Sequence, residues 1–232
     1  STPRALPALT PQGLAIRYAA TRDDIEAAAQ VAAEHGHHRR AAALRGMAVP
    51  GRRFLFFDGR DGGRAVEVFG DLSRARRVAV LVPGADIDLD RFARAHAWGD
   101  RLWRAVGGDS AVLVWLGYRT PGTFSVHAAT TALAERAAPG LRDFVAELRA
   151  MLPSARVSLL CHSYGSLVCA HAAPGLDVSD VVLFGTVGVG IDHTAALRTR
   201  ATVWAGRSSR DEIGSLPRLR LRLGPVTVGF GA

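Results

Sequence analysis

Ser163 has the setting of a reactive residue. It lies in Leu159-Leu160-Cys161-His162-Ser163-Tyr164-Gly165-Ser166, between an apolar run and a short apolar helical pattern. A strand–Ser–helix turn of this kind is a nucleophile elbow, whose pattern is Gly-x-Ser-x-Gly. Cys161 takes the first glycine position and Gly165 the second. Both places require small residues, because the serine backbone is strained and the helix leaves close to its strand. Such a serine projects at the carboxyl end of a sheet, with a helix amino terminus directed at any oxyanion formed there. Without a neighbouring base it is a weak nucleophile. The plainer alternative is that Ser163 only caps the helix.

The other parts of an acyl-transfer site are sought around it. Val82-Pro83-Gly84-Ala85-Asp86 follows an earlier apolar run. Gly84 would let the backbone approach, and Ala85 or Asp86 would donate an N–H to an oxyanion. Ala85 is taken as that donor, with Tyr164 as the second. The alternative is an ordinary turn capped by Asp86, Asp88 or Asp90. Val203-Trp204-Ala205-Gly206-Arg207-Ser208-Ser209-Arg210-Asp211 places Asp211 a few residues past another strand. An acid there would hold a histidine in its tautomer and orientation. Asp192 is its rival, and a surface-loop or capping role for Asp211 is the plainer alternative.

The histidine itself is missing from its expected place, because none follows Asp211. His162 reads as a structural neighbour pointing away from the hydroxyl, and His171 lies one face removed on the elbow helix. His193, in Gly190-Ile191-Asp192-His193, is the one substitute base downstream of Ser163, though a surface-loop or helix-start role is the plainer and favoured reading. The His37-His38 group has no partner at metal-ligand spacing, so no metal is expected, and no cofactor motif is present. Cys161 and Cys169 make neither a disulfide framework nor a zinc spacing.

These residues need strands to hold them. Val78–Val82, Ala111–Leu116, Arg156–Cys161, Val181–Phe184 and Ala201–Trp204 read as strands, most of them continuous apolar runs of the kind buried on both faces. Helical stretches over Asp90–Val106, Val126–Leu152 (broken at Pro139-Gly140) and Tyr164–Ala173 alternate with them. That alternation predicts an α/β domain with a mostly parallel sheet. Arg53–Phe57 and Arg64–Phe69, around the turn Asp58–Gly63, form a leading antiparallel hairpin. Leu219–Val228 supplies one more strand. Leu14–Ala48 is helical, with Thr21 as an N-cap and a break at Gly36. The expected organisation is a tether over 1–12, a helical extension over 13–50 packed on the domain, and the α/β domain over 51–232.

Composition narrows the partners. The chain has 232 residues, 48% apolar, with a formal net charge of +8. All 29 basic residues are arginine, and lysine and asparagine are both absent. That bias points to a GC-rich genome and not to a basic binding surface. The arginines are scattered, and Arg218-Leu219-Arg220-Leu221-Arg222 reads as a strand with one wet face, so nucleic acid is not the expected partner. No apolar run is long enough to span a membrane. The start at Ser1-Thr2-Pro3, without an initiator Met, reads as an engineered or processed one.

Four segments together resemble a known family. Val82-Pro83-Gly84-Ala85-Asp86, Val114-Trp115-Leu116-Gly117-Tyr118, Cys161-His162-Ser163-Tyr164-Gly165-Ser166 and Arg200-Ala201-Thr202-Val203-Trp204-Ala205-Gly206 look like the bacterial α/β-hydrolase family catalogued as domain of unknown function 1023. The resemblance covers roughly residues 50 to 232. It implies the α/β-hydrolase fold and a serine hydrolase with Ser163 as nucleophile and Asp211 as acid. Family members continue past the Gly229-Phe230-Gly231 segment into a stretch with the triad histidine, so a longer parent chain is expected. Many carry export signals, which implies a secreted or cell-envelope protein, with the cytoplasm as the alternative. The expected activity is esterase-like cleavage of an uncharged small acyl ester, in a pocket lined by Tyr118, Tyr164, Phe124 and the loop Thr120–Ser125. Acyl transfer would use the same residues. The competing reading is a non-catalytic scaffold that binds a ligand.

Overall fold

The computed structural model describes residues 8–122, 131–185 and 197–206 in full, and 220–223 and 226–229 by their backbone. Two helices lead, α1 (Leu14–Glu34) and α2 (His38–Met47), followed by the hairpin β1 (Arg53–Asp58) and β2 (Arg64–Phe69). Then come β3 (Arg77–Val82), α3 (Phe92–Val106), β4 (Ser110–Leu116), α4 (Thr131–Met151), β5 (Arg156–His162), α5 (Gly165–Ala172), β6 (Asp180–Phe184) and β7 (Thr202–Gly206). The seven strands form one sheet in the order β1-β2-β4-β3-β5-β6-β7. The β1–β2 and β2–β4 pairs are antiparallel and the remaining four are parallel.

This order creates the site. The chain steps from β3 outward to β4, then returns past β3 to β5. Right-handed crossovers then put α3 and α4 on opposite faces of the sheet. The packing agrees. Phe92 and Ala95 of α3 are buried with Leu81, Val112 and Val114, while Leu141, Val145 and Leu148 of α4 are buried with Val80, Leu113 and Leu159. Each such aliphatic side chain contributes about 1.5–3 kcal/mol by leaving water. Because the two helices diverge, a crevice opens at the carboxyl ends of β3 and β5, where ligands of open α/β sheets bind.

The leading helices guard the sheet's open edge. Helix α1 packs on β1, burying Leu14 in one core and Ile25 and Ala29 in the other. The Arg17 Nε donates to Leu55 O at 2.8 Å, within the bulge of β1. That covers backbone an edge strand would otherwise expose.

Three expectations are corrected. Thr21 is not an N-cap: it lies inside α1, and its hydroxyl donates to Arg17 O at 2.8 Å, the back-bonding open to a mid-helix threonine. Pro139 does not break α4. It and Glu135, whose carbonyl it cannot bond, are both exposed, so water can serve that carbonyl. The tail is a hairpin, with β8 (Arg220–Leu223) paired antiparallel to β9 (Val226–Gly229) in a sheet of its own. Among the described residues, no helix is long and apolar enough to cross a membrane.

Candidate active site

Ser163 sits between β5 and α5 with φ of 51°. That left-handed backbone costs a non-glycine residue about 1–2 kcal/mol. Ser163 N–H donates to Phe184 O at the end of β6, at 2.9 Å. This bond is the last rung of the β5–β6 ladder and fixes the point from which the turn departs. The residue is only half-buried, and among the described residues its Oγ makes no hydrogen bond.

Two glycines set the approach of the neighbouring backbone. A Cβ on Gly165 would lie 2.5 Å from Val82 O and 2.7 Å from Pro83 O. A Cβ on Gly84 would lie 2.6 Å from Ser163 Cβ and 3.1 Å from Tyr164 N. No side chain fits either place, so the loop after β3 rests directly on the elbow. Asp86, at φ of 59°, donates its N–H to Pro121 O at 2.9 Å. Of the two loop amides considered as oxyanion donors, that one is already committed. Ala85 N–H makes no hydrogen bond among the described residues. The Gly84 backbone faces Tyr164 N, so the loop and the helix start border one small volume beside Ser163.

Two tyrosines back this arrangement. Tyr118 and Tyr164 are buried and stacked, with ring centroids 6.3 Å apart. The Tyr118 hydroxyl donates to Pro83 O at 2.6 Å, which ties the end of β4 to the loop. Burial pushes the Tyr118 phenol well above the ordinary tyrosine range. Burial also raises that of Tyr164, partly offset by the backbone N–H of Ala134 at the start of α4. Both phenols therefore stay protonated and act as struts, and Tyr118 also reaches a cavity wall. Thr120, Pro121 and Gly122 do line a cavity of about 460 Å³ with Asp86 and Ile87. Phe124 and Ser125 lie outside the described residues.

His162 is held between the rings of Trp98 and Phe184, at 5.1 and 5.2 Å between centroids. Among the described residues, no imidazole hydrogen-bonds to Ser163. Asp211, Asp192 and His193 lie outside the described residues.

The cysteine expectation is overturned: Cys161 and Cys169 form a disulfide, with Cα atoms 6.4 Å apart. Both are fully buried. The cross-link joins the end of β5 to the middle of α5, across the elbow. Spacing alone hides it, because the pairing depends on α5 folding back over β5. Closing a separation of eight residues is worth about 2.5 kcal/mol in the chain-entropy picture. Replacing both cysteines by alanine is therefore expected to lower the Tm by about 5–10 °C. Scanning calorimetry of the variant beside the reduced and oxidised protein checks this. An unchanged Tm would show that the bridge does not stabilise the fold.

Residues 58–221 match the model of a family described as alpha/beta hydrolase. The chain belongs to that alpha/beta hydrolase family. The match spans β2, the loop after β3 and the elbow. Two uncharacterised proteins of Mycobacterium tuberculosis, from strains CDC 1551 / Oshkosh and ATCC 25618 / H37Rv, are 30% identical over 177 residues. The alignment covers 68% of this chain and 26% of each relative, so this alpha/beta hydrolase chain spans about a quarter of their length. Among solved structures, a serine hydrolase without lid from Xanthomonas campestris is similar, with TM-score 0.44, 16% identity and coverage of 68% of this chain and 84% of that one. A thermostable carboxyl esterase from Bacillus coagulans aligns with TM-score 0.37 and 17% identity over 59% of this chain and 44% of that one.

Proposed function

We propose that the protein is a serine hydrolase that cleaves acyl esters through an acyl-enzyme on Ser163. One observation carries this reading: a non-glycine residue at φ of 51° on the turn between β5 and α5, with the Gly84 backbone pressed against it. Strain of that kind clusters at functional sites. An N-cap serine has no need of it.

In this reading Ser163 Oγ attacks the ester carbonyl and a histidine accepts its proton. Asp211 orients that histidine, which is His193 or a residue of a longer chain. The backbone N–H groups of Tyr164 and Ala85 hold the developing oxyanion. Collapse of the tetrahedral intermediate expels the alcohol, which takes the proton from the imidazolium. Water then attacks the acyl-enzyme with the same base, releasing the acid and restoring Ser163. No step calls for a cofactor. The protein acts outside the reducing cytoplasm, a reading supported by the buried disulfide. Fractionation of the source cells tests it, and a cytoplasmic pool with both thiols open to alkylation after unfolding would overturn it.

The activity is tested with a fluorophosphonate probe and a short-chain p-nitrophenyl ester. The expected result is one phosphonyl adduct, mapped to Ser163, together with ester turnover that the probe abolishes. A folded protein of verified full length that takes no label would overturn the hydrolase reading and favour the binding scaffold.

A further inference from the structure

A second cavity of about 410 Å³ lies at the carboxyl end of β4, lined by Arg60, Arg64, Arg119, Arg136, Tyr118 and Leu133 among others. It shares Asp61, Tyr118 and Arg119 with the cavity beside the loop after β3, so the two adjoin. Its walls also reach the elbow. Tyr118 stacks on Tyr164 and bonds to Pro83, and Ala134, between Leu133 and Arg136 on α4, meets the Tyr164 phenol.

The charge in this cavity is unbalanced. Arg60 and Arg64 both bind the buried Asp58, Arg60 at 2.9 Å through two nitrogens and Arg64 at 2.6 Å. One carboxylate thus serves two guanidiniums and is saturated by them. Among the described residues, Asp61 is the one acid on the wall. Arg119 and Arg136 make no ion pair among the described residues. A guanidinium offers a planar fork of donors matched to an oxyanion, and apolar walls such as Leu133 and Ala137 strengthen its field. The volume suits part of a small molecule.

We infer that this cavity takes an oxyanion, a carboxylate or a phosphate, carried by the substrate at a distance from its scissile carbonyl, with Arg119 and Arg136 as the contacts. This assigns an anionic ester as the substrate class, in place of the uncharged ester expected from the sequence, and it rests on the hydrolase reading above.

The test compares three p-nitrophenyl esters of similar chain length: butyrate, the monoester of succinate and 4-phosphonobutanoate. The readout is the ratio of kcat/KM for each anionic ester to that for butyrate. At low salt the wild-type ratio is expected to reach about tenfold or more for at least one anion, since a charge-assisted contact is worth that factor. The arm with the higher ratio identifies carboxylate or phosphate. In Arg119→Gln/Arg136→Gln the ratio is expected to fall to about one. Arg39→Gln/Arg45→Gln, on the exposed side of α2, removes the same net charge and should keep the preference. A wild-type ratio near one, or a preference surviving in Arg119→Gln/Arg136→Gln, would overturn the proposal. A binding arm separates it from the hydrolase reading. Calorimetry with succinate and with inorganic phosphate on Ser163→Ala needs no turnover. Binding of either, weakened about tenfold or more by the two arginine substitutions, supports the site even if no ester is cleaved. Absence of binding for both overturns it.

Discussion

Ser163→Gly is expected to make the protein more stable and to abolish its ester hydrolysis. Glycine adopts positive φ without steric cost, so the substitution releases the strain of about 1–2 kcal/mol held at φ of 51°. Part of that gain is offset by the extra freedom of glycine in the unfolded chain. The net expectation is a gain of about 0.5–1 kcal/mol, or about 1–4 °C in Tm. Turnover should fall about 10⁴-fold or more, the usual consequence of removing a nucleophile. Ser163→Ala separates the two effects: it should lose the same activity without the gain in stability, because alanine keeps the Cβ that the left-handed backbone resists. Calorimetry beside steady-state kinetics reads both. Equal stability of the two variants would remove the strain argument, and retained turnover in either would move the nucleophile elsewhere.

That prediction was legible in the residues because three local signals coincide at the elbow: an apolar strand, a serine and a small residue two places on. The sheet was legible for a similar reason. Continuous runs such as Val78–Val82 and Ala111–Leu116 pair in register, with Val78 opposite Ala111, and nothing but a doubly covered sheet buries them. What failed was decided by tertiary neighbours. Cys161 meets Cys169 because α5 returns over β5, a fact of packing and not of spacing. Pro139 is tolerated because its face of α4 is wet. The scattered arginines concealed a cluster, since Arg60, Arg64, Arg119 and Arg136 come from the hairpin, the end of β4 and α4. The backbone parts of the site were the more readable ones, because glycine at 84 and 165 records where main chains touch. Asp211 and His193 are known only from sequence, and their roles rest on the order of residues in the chain.

Glu67→Ala is expected to cost the fold more than any surface change, about 3–5 kcal/mol, and to lower Tm by about 10 °C. Glu67, on β2, is 1% exposed. Arg52 grips it with two bonds, at 2.6 and 2.8 Å, and His96 of α3 meets both of its oxygens at 2.9 and 3.0 Å. The Arg52 guanidinium also lies over the rings of Phe54 and Phe92 and donates to Gly46 O. Removing the carboxylate leaves a largely buried cation without its counter-charge. Replacing both partners, as Arg52→Met/Glu67→Leu, should cost less than Glu67→Ala alone, because no orphan charge remains. The loss should also reach the chemistry. Helix α3 begins at Phe92, shortly after Asp86, and His96 anchors that helix to β2. A helix freed to tilt carries the Ala85 amide with it, and displacements well under 1 Å weaken a preorganised donor. At a temperature where Glu67→Ala is still folded, kcat/KM should therefore drop about tenfold. Fluorophosphonate should still label Ser163, but more slowly. A Tm within about 2 °C of wild type would show that the Arg52–Glu67–His96 cluster merely decorates the interface. A large fall in Tm with unchanged kcat/KM would separate the stability of α3 from the placement of the oxyanion donor.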